Sequence, residues 1–310
     1  MSVVVITGSS SGIGMATAQV LARRGHRVFA TMRRPEKSAL AQALAAETLP
    51  IRLLAMDVDR DASVRAAFRE VARESGHIDV LVNNAGVEVP GSVEETSLNA
   101  FRGTMETNFF GAIRCIQAVL PGMRERRSGC IMNVSSVAGR MAVGGEASYC
   151  ASKWALEAAS EALAQEVKPF GIRVAVIEPG VIRTPIFDKG PQLRQDTPYP
   201  QERRMSALFQ ASLRNPVPPE VVAETILGIV DNGTWQLRHP VGPDAAPFLA
   251  WRAGMTDEQW IDYWAQSDAG WVAAIQRDFG LAIDLNDTLR RAAPKPAKAA
   301  EKRTTGAAGS

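Results

Sequence analysis

The octapeptide Thr7-Gly8-Ser9-Ser10-Ser11-Gly12-Ile13-Gly14 stands between the aliphatic run Val3-Val4-Val5-Ile6 and a segment of helical period that extends from Gly14 to Arg24. A glycine-rich turn that closes a strand and opens a helix is the setting in which a dinucleotide-binding loop works. Glycines permit a tight turn and close backbone approach, while the helix N-terminus offers free N–H groups and a positive dipole end to a phosphate. This context, more than the glycine spacing, separates the turn from an ordinary Gly/Ser loop. Gly8, Ser10, Ser11, Gly12, Ile13 and Gly14 are the candidate phosphate contacts.

Outward from this turn, aliphatic runs alternate with helical segments to about residue 190, the pattern of βαβ units around a parallel sheet. Strands are expected at Val3 to Thr7, Arg27 to Thr31, Arg52 to Asp57, Val80 to Asn83, Cys130 to Val134 and Arg173 to Glu178, with helices such as Gly14 to Arg24 and Ser63 to Glu74 between them. Several runs are apolar throughout, so helices must cover both sheet faces. The fold class is α/β, a doubly wound parallel sheet.

After Pro179 the pattern loosens. Residues 186–219 form a Pro- and Gly-containing stretch suited to a lid, and a helix is expected from Pro219 to Asp231. Residues 251–279 carry one or two more helices, with Thr256 and Gln259 in capping-box spacing and Trp260 and Trp264 four apart on one face. The expected organisation is a main domain over 1–240, a helical C-terminal appendage over 241–289 and a disordered basic tail over 290–310. That tail is too poor in large apolar groups to offset its ordering entropy by burial.

With 35 basic against 33 acidic side chains the net charge is only +2, so no global field draws the chain to nucleic acid or to an anionic membrane. A small-molecule substrate is the better expectation. Cys115, Cys130 and Cys150 are odd in number and widely spaced, which argues against a disulfide framework or a structural zinc site and for a reducing, cytoplasmic setting. His26, His77 and His239 lack metal-ligand spacing, so no metal is expected. Neither a signal-peptide core nor an apolar run of the roughly 20 residues needed to span a bilayer is found.

The second strand runs into Ala30-Thr31-Met32-Arg33-Arg34, where an acidic residue would be expected beside a plain ribose 2′-hydroxyl. Arg33 instead provides a planar, permanently charged fork suited to a 2′-phosphate, and Arg34 adds a second cation. NADP(H) is therefore favoured over NAD. Further on, Tyr149 and Lys153 lie four apart on one face of a helical segment, where a neighbouring ammonium favours the phenolate of a group whose ordinary pKa is about 10. Thirteen residues before Tyr149, Ser136 follows a buried strand at the carboxyl edge of the sheet, where ligands of open α/β folds bind. Taken singly, the Tyr and Lys could be surface residues of an amphipathic helix, and Ser136 a turn cap.

Taken together and in order, Thr7 to Gly14, Asp57, Asn83-Asn84-Ala85-Gly86, Asn108, Ser136, Tyr149, Lys153 and Pro179-Gly180 through Thr184 resemble the short-chain dehydrogenase/reductase family, over about residues 2 to 190. The resemblance implies a Rossmann fold and an oxidoreductase acting on CH–OH groups. Tyr149 would be the general acid/base, Ser136 would orient the substrate oxygen, and Lys153 would lower the phenol pKa and hold the nicotinamide ribose. Asn108 would anchor a water-linked proton relay. Asp57 and Val58 would flank the adenine, Asn83, Ala85 and Gly86 would support the middle of the cofactor, and Pro179, Gly180, Ile182 and Thr184 would embrace the nicotinamide. Read from residues alone, Asn108 can equally be a buried structural amide. The family also implies a homodimer or homotetramer.

The segment Ser148 to Phe187 is similar to branches that act on hydroxysteroids and retinoids, so a lipophilic ketone is the expected substrate. An NAD-linked alcohol dehydrogenase, a reductase of an acyl thioester, polyketide or sugar, and a non-catalytic NADP-binding sensor or scaffold stand as alternatives. Trp251, Trp260, Trp264 and Trp271 are expected mainly in a core, with a pocket or an interface as other uses.

Overall fold

The computed structural model describes residues 1–188, 194 and 196–289; the expected basic tail lies outside the described residues, as does part of the expected lid. In chain order the strands are β1 (Val3–Thr7), β2 (Arg27–Met32), β3 (Ile51–Ala55), β4 (Val80–Asn83), β5 (Gly129–Val134), β6 (Ile172–Pro179) and β7 (Arg238–Val241). The helices are α1 (Gly12–Arg23), α2 (Ala39–Leu44), α3 (Asp61–Ser75), α4 (Leu98–Met105), α5 (Gly111–Arg126), α6 (Ala147–Val167), α7 (Gln201–Ser212), α8 (Glu220–Asn232), α9 (Ala245–Ala253), α10 (Asp257–Ala265) and α11 (Asp268–Phe279).

The strands form one seven-stranded sheet in the order β3-β2-β1-β4-β5-β6-β7, parallel at each pairing. Successive side chains of a strand point to opposite faces. Val3 and Val5 of β1, Phe29 of β2, Leu81 of β4 and Ile131 of β5 therefore pack under α3, α5 and α6. Val4, Ile6, Val28, Ala30, Val82 and Met132 face α1, α2 and α8 on the other side. Full burial of each such aliphatic side chain contributes roughly 1.5–3 kcal/mol, which is why apolar runs without alternation specify this architecture. The doubly wound α/β class is as expected.

β1 pairs with both β2 and β4, so the winding reverses beside it and opens a crevice at the carboxyl ends of these strands. The Gly8 turn stands at that crevice.

Two elements depart from the sequence expectation. Helix α7 occupies part of the stretch read as loosened, and the four-residue β7, carrying Pro240, extends the sheet at its edge, where a missing N–H is tolerated. A third apolar cluster lies beyond the sheet, where Met141, Val143, Met205, Leu208, Phe248, Trp260, Tyr263, Trp264, Trp271 and Ile275 pack together. Thr256 and Gln259 form the reciprocal bonds of a capping box at the start of α10. No described helix is long and apolar enough to cross a membrane.

Candidate active site

A continuous cavity of about 520 Å³ runs from the Gly8 turn, along the carboxyl ends of β1, β4, β5 and β6, to the aromatic residues of α9, α10 and α11. At its first end Gly8 takes φ +69°, in the left-handed region, and a Cβ there would lie 2.7 Å from the Cα of Ala85. Gly14 serves a different purpose. A Cβ on it would meet Asn84 Nδ2 at 2.4 Å and the Gly8 carbonyl oxygen at 2.7 Å, so its bare backbone is the seat of the Asn84 side chain. Asn84 Nδ2 donates to the Thr7 and Gly8 carbonyls at 2.9 and 3.2 Å, and the backbone N–H groups of Asn84 and Ala85 both donate to Thr7 Oγ1. The segment that follows β4 thus braces the turn. Ser11 makes no side-chain cap at the start of α1, which leaves the first-turn N–H groups directed at the groove.

At the outer end of the groove Arg33, exposed after β2, lines the wall with Met32, Met56, Asp57, Val58 and Asp59. A small adjoining hollow is bordered by Arg33, Asp57, Arg60 and Ser63. Asp57 holds the local turn, accepting from the Asp59 N–H, while its own N–H donates to Ser63 Oγ. The Asp59 carboxyl is pushed above its ordinary range by burial, with the Thr107 hydroxyl opposing and the charges of Asp57 and Glu106 adding to the rise.

The reacting end is built on α6 and β5. Tyr149 and Lys153 both face the cavity, with Lys153 Nζ 5.5 Å from the Tyr149 ring centroid and donating to the Val134 carbonyl at 2.8 Å. Burial lowers the Lys153 pKa to about 8, against an opposing pull from Glu157. Burial also raises the Tyr149 phenol, with the Glu88 and Glu146 charges adding to it and the Ser136 hydroxyl opposing. This corrects one sequence expectation, that the ammonium would bring the phenol toward neutral pH. Desolvation of the phenolate outweighs other influences here. Ser136 is at once a cavity residue and a turn cap, since its Oγ accepts from the Ala138 N–H at 3.2 Å.

Asn108 is buried in a π turn (Glu106–Phe110) between α4 and α5, a geometry frequent at functional sites. Its Oδ1 accepts from the Val87 N–H at 2.8 Å, and its Nδ2 donates to the Val87 carbonyl and to Ser152 Oγ, each at 2.9 Å. Ser152 in turn donates to the Tyr149 carbonyl. Asn108 therefore ties the Gly86–Val87 wall to the helix that carries Tyr149 and Lys153.

Past Tyr149 the cavity becomes apolar and aromatic. Its wall is made by Met141, Phe187, Phe209, Phe248, Trp264 and Phe279 among others. Trp251 packs edge-on against Trp260, Tyr263 and Phe279, each with ring centroids 4.8 Å apart. Asp244, which precedes α9, joins the two ends. Its carboxylate accepts from the Val181 N–H at 2.8 Å, and a Cβ on Gly180 would lie 2.1 Å from Asp244 Oδ1.

A family model described as short chain dehydrogenase matches residues 2–194. The chain belongs to the short-chain dehydrogenase family. Among its relatives, this dehydrogenase is 37% identical over 245 residues to a 3-ketodihydrosphingosine reductase of Bacteroides thetaiotaomicron, covering 78% of this chain and 88% of the relative. It is 34% identical over 265 residues to retinol dehydrogenase 8 of Bos taurus, covering 81% and 84%. A crystal structure of a short-chain dehydrogenase from Streptomyces avermitilis matches with a TM-score of 0.76 at 35% identity, over 84% of this chain and 95% of that one. An alcohol dehydrogenase from Thermococcus sibiricus complexed with 5-hydroxy-NADP matches with a TM-score of 0.63 at 25% identity, over 77% and 95%. The protein is accordingly an oxidoreductase that acts on alcohol or ketone groups of small molecules with a nicotinamide cofactor.

Most of the residues singled out from the dehydrogenase sequence meet in this one cavity. Gly8, Ser10, Ser11, Gly12, Ile13, Arg33, Asp57, Val58, Ala85, Gly86, Ser136, Tyr149, Lys153, Pro179, Gly180, Ile182 and Thr184 all line it. Four do not. Gly14 and Asn108 act from behind the wall, and Arg34 leads into the turn Pro35–Lys37 away from the groove. Asn83 is buried under the sheet edge, donating to Asn133 Oδ1 at 2.8 Å, and its neighbour Asn84 reaches the turn instead. Asp244, Phe248 and Phe279 were not anticipated as site residues, whereas Trp251 and Trp264 had a pocket among their expected uses. For Asp244, Phe248 and Phe279 the sequence holds no spacing signal, because they come from elements beyond the family match at residues 2–194. Trp260 and Trp271 are core residues, as expected, whereas Trp251 and Trp264 serve both core and cavity.

Proposed function

We propose that this dehydrogenase is an NADP(H)-dependent reductase of a lipophilic ketone, with Tyr149 as proton donor, Ser136 orienting the substrate oxygen and Lys153 holding the cofactor ribose. The observation that carries the reading is the continuity of one cavity from Arg33 through Tyr149 to Phe279. A bare glycine turn at a helix start, a guanidinium at the far edge of the groove and a buried ammonium beside Gly86 fit a phosphorylated nicotinamide dinucleotide.

When bound, the cofactor supplies the hydride delivered to the substrate carbon. The chain's own residues do the rest. Tyr149, its phenol kept protonated at neutral pH by burial, gives its proton to the developing alkoxide oxygen, and Ser136 fixes that oxygen beside it. Lys153 contributes positive charge behind the phenol. Asn108 holds Val87 and, through Ser152, the Tyr149 turn of α6. The apolar wall excludes water and accommodates an apolar substrate body.

The relatives' names, a ketosphingoid reductase and a retinol dehydrogenase, support a lipid-like substrate, and the complex of the Thermococcus protein supports the phosphorylated cofactor. Leu98, Phe110 and Trp154 expose apolar surface on α4, on the π turn and on α6, which supports assembly through these helices into a homodimer or homotetramer. The three buried free thiols accord with a reducing, cytoplasmic setting.

The test is Tyr149→Phe, assayed with NADPH and a panel of long-chain and polycyclic ketones. Turnover should fall by roughly 10²–10⁴-fold, the usual contribution of a positioned proton donor, while NADPH affinity measured by fluorescence stays within about twofold. Near-normal turnover in this variant would overturn the assignment.

A further inference from the structure

Behind Lys153 lies a set of charges, with the carboxylates of Glu157 and Glu178 buried and Arg140 and Glu161 exposed at its outer side, that the reaction as described does not use. Glu157 is four residues after Lys153, as Lys153 is four after Tyr149, so the three share one face of α6. Lys153 and Glu157 are 4% and 3% exposed. Glu157 Oε2 accepts from Arg238 Nε of β7 at 3.0 Å, and the same guanidinium reaches Glu161 and approaches Glu178 Oε1 of β6 at 3.7 Å. Arg140 meets Glu178 from the other side at 3.4 Å. Glu157 Oε1, however, is buried and has no hydrogen-bond partner. It lies on the side of Ser135 and Gly139, at the floor of the site, since a Cβ on Gly139 would be 2.6 Å from Ser135 Oγ and 3.2 Å from Glu157 Oε1.

The buried part of this group balances only when Lys153 is included. Glu157 and Glu178 face the half-buried Arg238, and the Lys153 ammonium is the second cation, while Arg140 and Glu161 are exposed and screened by solvent. A buried carboxylate oxygen without a hydrogen bond is costly unless a charge nearby compensates it. We propose that Glu157 is a positioning residue for the reaction, clamped by Arg238 and serving as the counter-ion that keeps Lys153 an ammonium beneath Tyr149. It touches neither substrate nor reacting atoms and acts through Lys153 alone. This inference rests on the role given to Lys153 above.

The direction of coupling follows from the surroundings. Burial acts against the ammonium and Glu157 acts for it. Without Glu157 the lysine loses its proton at a lower pH. Without Arg238 the carboxylates of Glu157 and Glu178 lose a compensating cation, which favours the Lys153 ammonium, so removing the clamp moves the lysine the opposite way to removing Glu157. The other titratable groups at this end, Tyr149, Glu88 and Glu146 on the cavity wall and Cys150 buried behind it, are common to each variant.

The experiment is an NMR titration of ¹³C-labelled lysine ε-carbons in the cofactor-free protein, feasible because the sequence holds few lysines. Loss of one resonance in Lys153→Arg identifies the signal. Its midpoint should fall by about one pH unit in Glu157→Gln and rise in Arg238→Met, with Glu157→Asp restoring most of the loss seen in Glu157→Gln. The alkaline limb of the pH–rate profile should shift in parallel. A Lys153 midpoint unmoved in a folded Glu157→Gln or Arg238→Met protein overturns the proposal, even if activity falls. A shifted midpoint in a protein that reduces no ketone with NADPH upholds the charge coupling and removes the reductase reading instead.

Discussion

The two ends of the cavity are built by different means. At the nucleotide end the wall is largely backbone: Gly8 turned into the left-handed region, Gly14 seating Asn84, and Thr7 gathering two N–H donors from the segment after β4. At the far end the wall is side chain only, as Phe248, Trp264 and Phe279 from separate helices meet residues 141–143 and α7. Backbone walls fix residue identity, because a single added carbon collides. Side-chain walls fix size and polarity and leave identity free. One end is therefore suited to a constant cofactor and the other to a substrate that differs between relatives.

The largest effect separating the two ends is expected from Gly14→Ala. The new Cβ would fall 2.4 Å from Asn84 Nδ2 and 2.7 Å from a backbone oxygen, so either Asn84 leaves or the turn opens. NADPH affinity should drop by about 100-fold or more, equivalent to roughly 2.8 kcal/mol, while the aromatic cluster of α9, α10 and α11 keeps its near-UV circular dichroism. Affinity within a few-fold of the parent would show that Asn84 is not the brace described here.

This difference also governs what could be read before the structure. Thr7 to Gly14 was legible because close backbone approach demands glycine at fixed spacing, and Tyr149 and Lys153 because cooperation on a helix demands four-residue spacing. Asn83 and Asn84 show the limit of that reading. Both belong to the same motif, yet strand alternation turns Asn83 under the sheet toward Asn133 and sends Asn84 to the turn. Asp244 was illegible altogether. It meets Val181 across 63 residues of sequence, a pairing set by how β7 adds to β6. Helix α7 was hidden by flanking Pro and Gly residues, although Gln201 to Ser212 is composed largely of helix formers.

Arg33 tests whether every residue of the nucleotide end is set by backbone. It is the exposed side chain there, and its effect should be selective and smaller than that of Gly14. On the proposed NADP(H) reading, Arg33→Asp would remove a charge-assisted contact, worth about 1.5–3 kcal/mol, and introduce repulsion toward a 2′-phosphate. The NADPH-over-NADH ratio of kcat/KM should fall by roughly 10- to 100-fold, with little change in NADH affinity. A ratio that does not move would place discrimination elsewhere, with Arg60 across the adjoining hollow as the next residue to replace.

The smallest effect is expected at the other end, and its character matters more than its size. Phe279 closes α11 and stacks edge-on with Phe248 and Trp251 at centroid distances of 4.9 and 4.8 Å. It is only partly buried, so Phe279→Ala enlarges the cavity without emptying a sealed core. Loss of one apolar contact to substrate is worth about 1–3 kcal/mol at most. For a bulky ketone that fills the wall, kcat/KM should fall by about tenfold, carried by KM. A short ketone that reaches Tyr149 but not Phe279 should be reduced as before, and NADPH affinity should be unchanged. Equal losses on short and bulky ketones would mean that α11 supports the reacting centre itself, and that the boundary between the two ends lies further from Tyr149 than the lining residues place it.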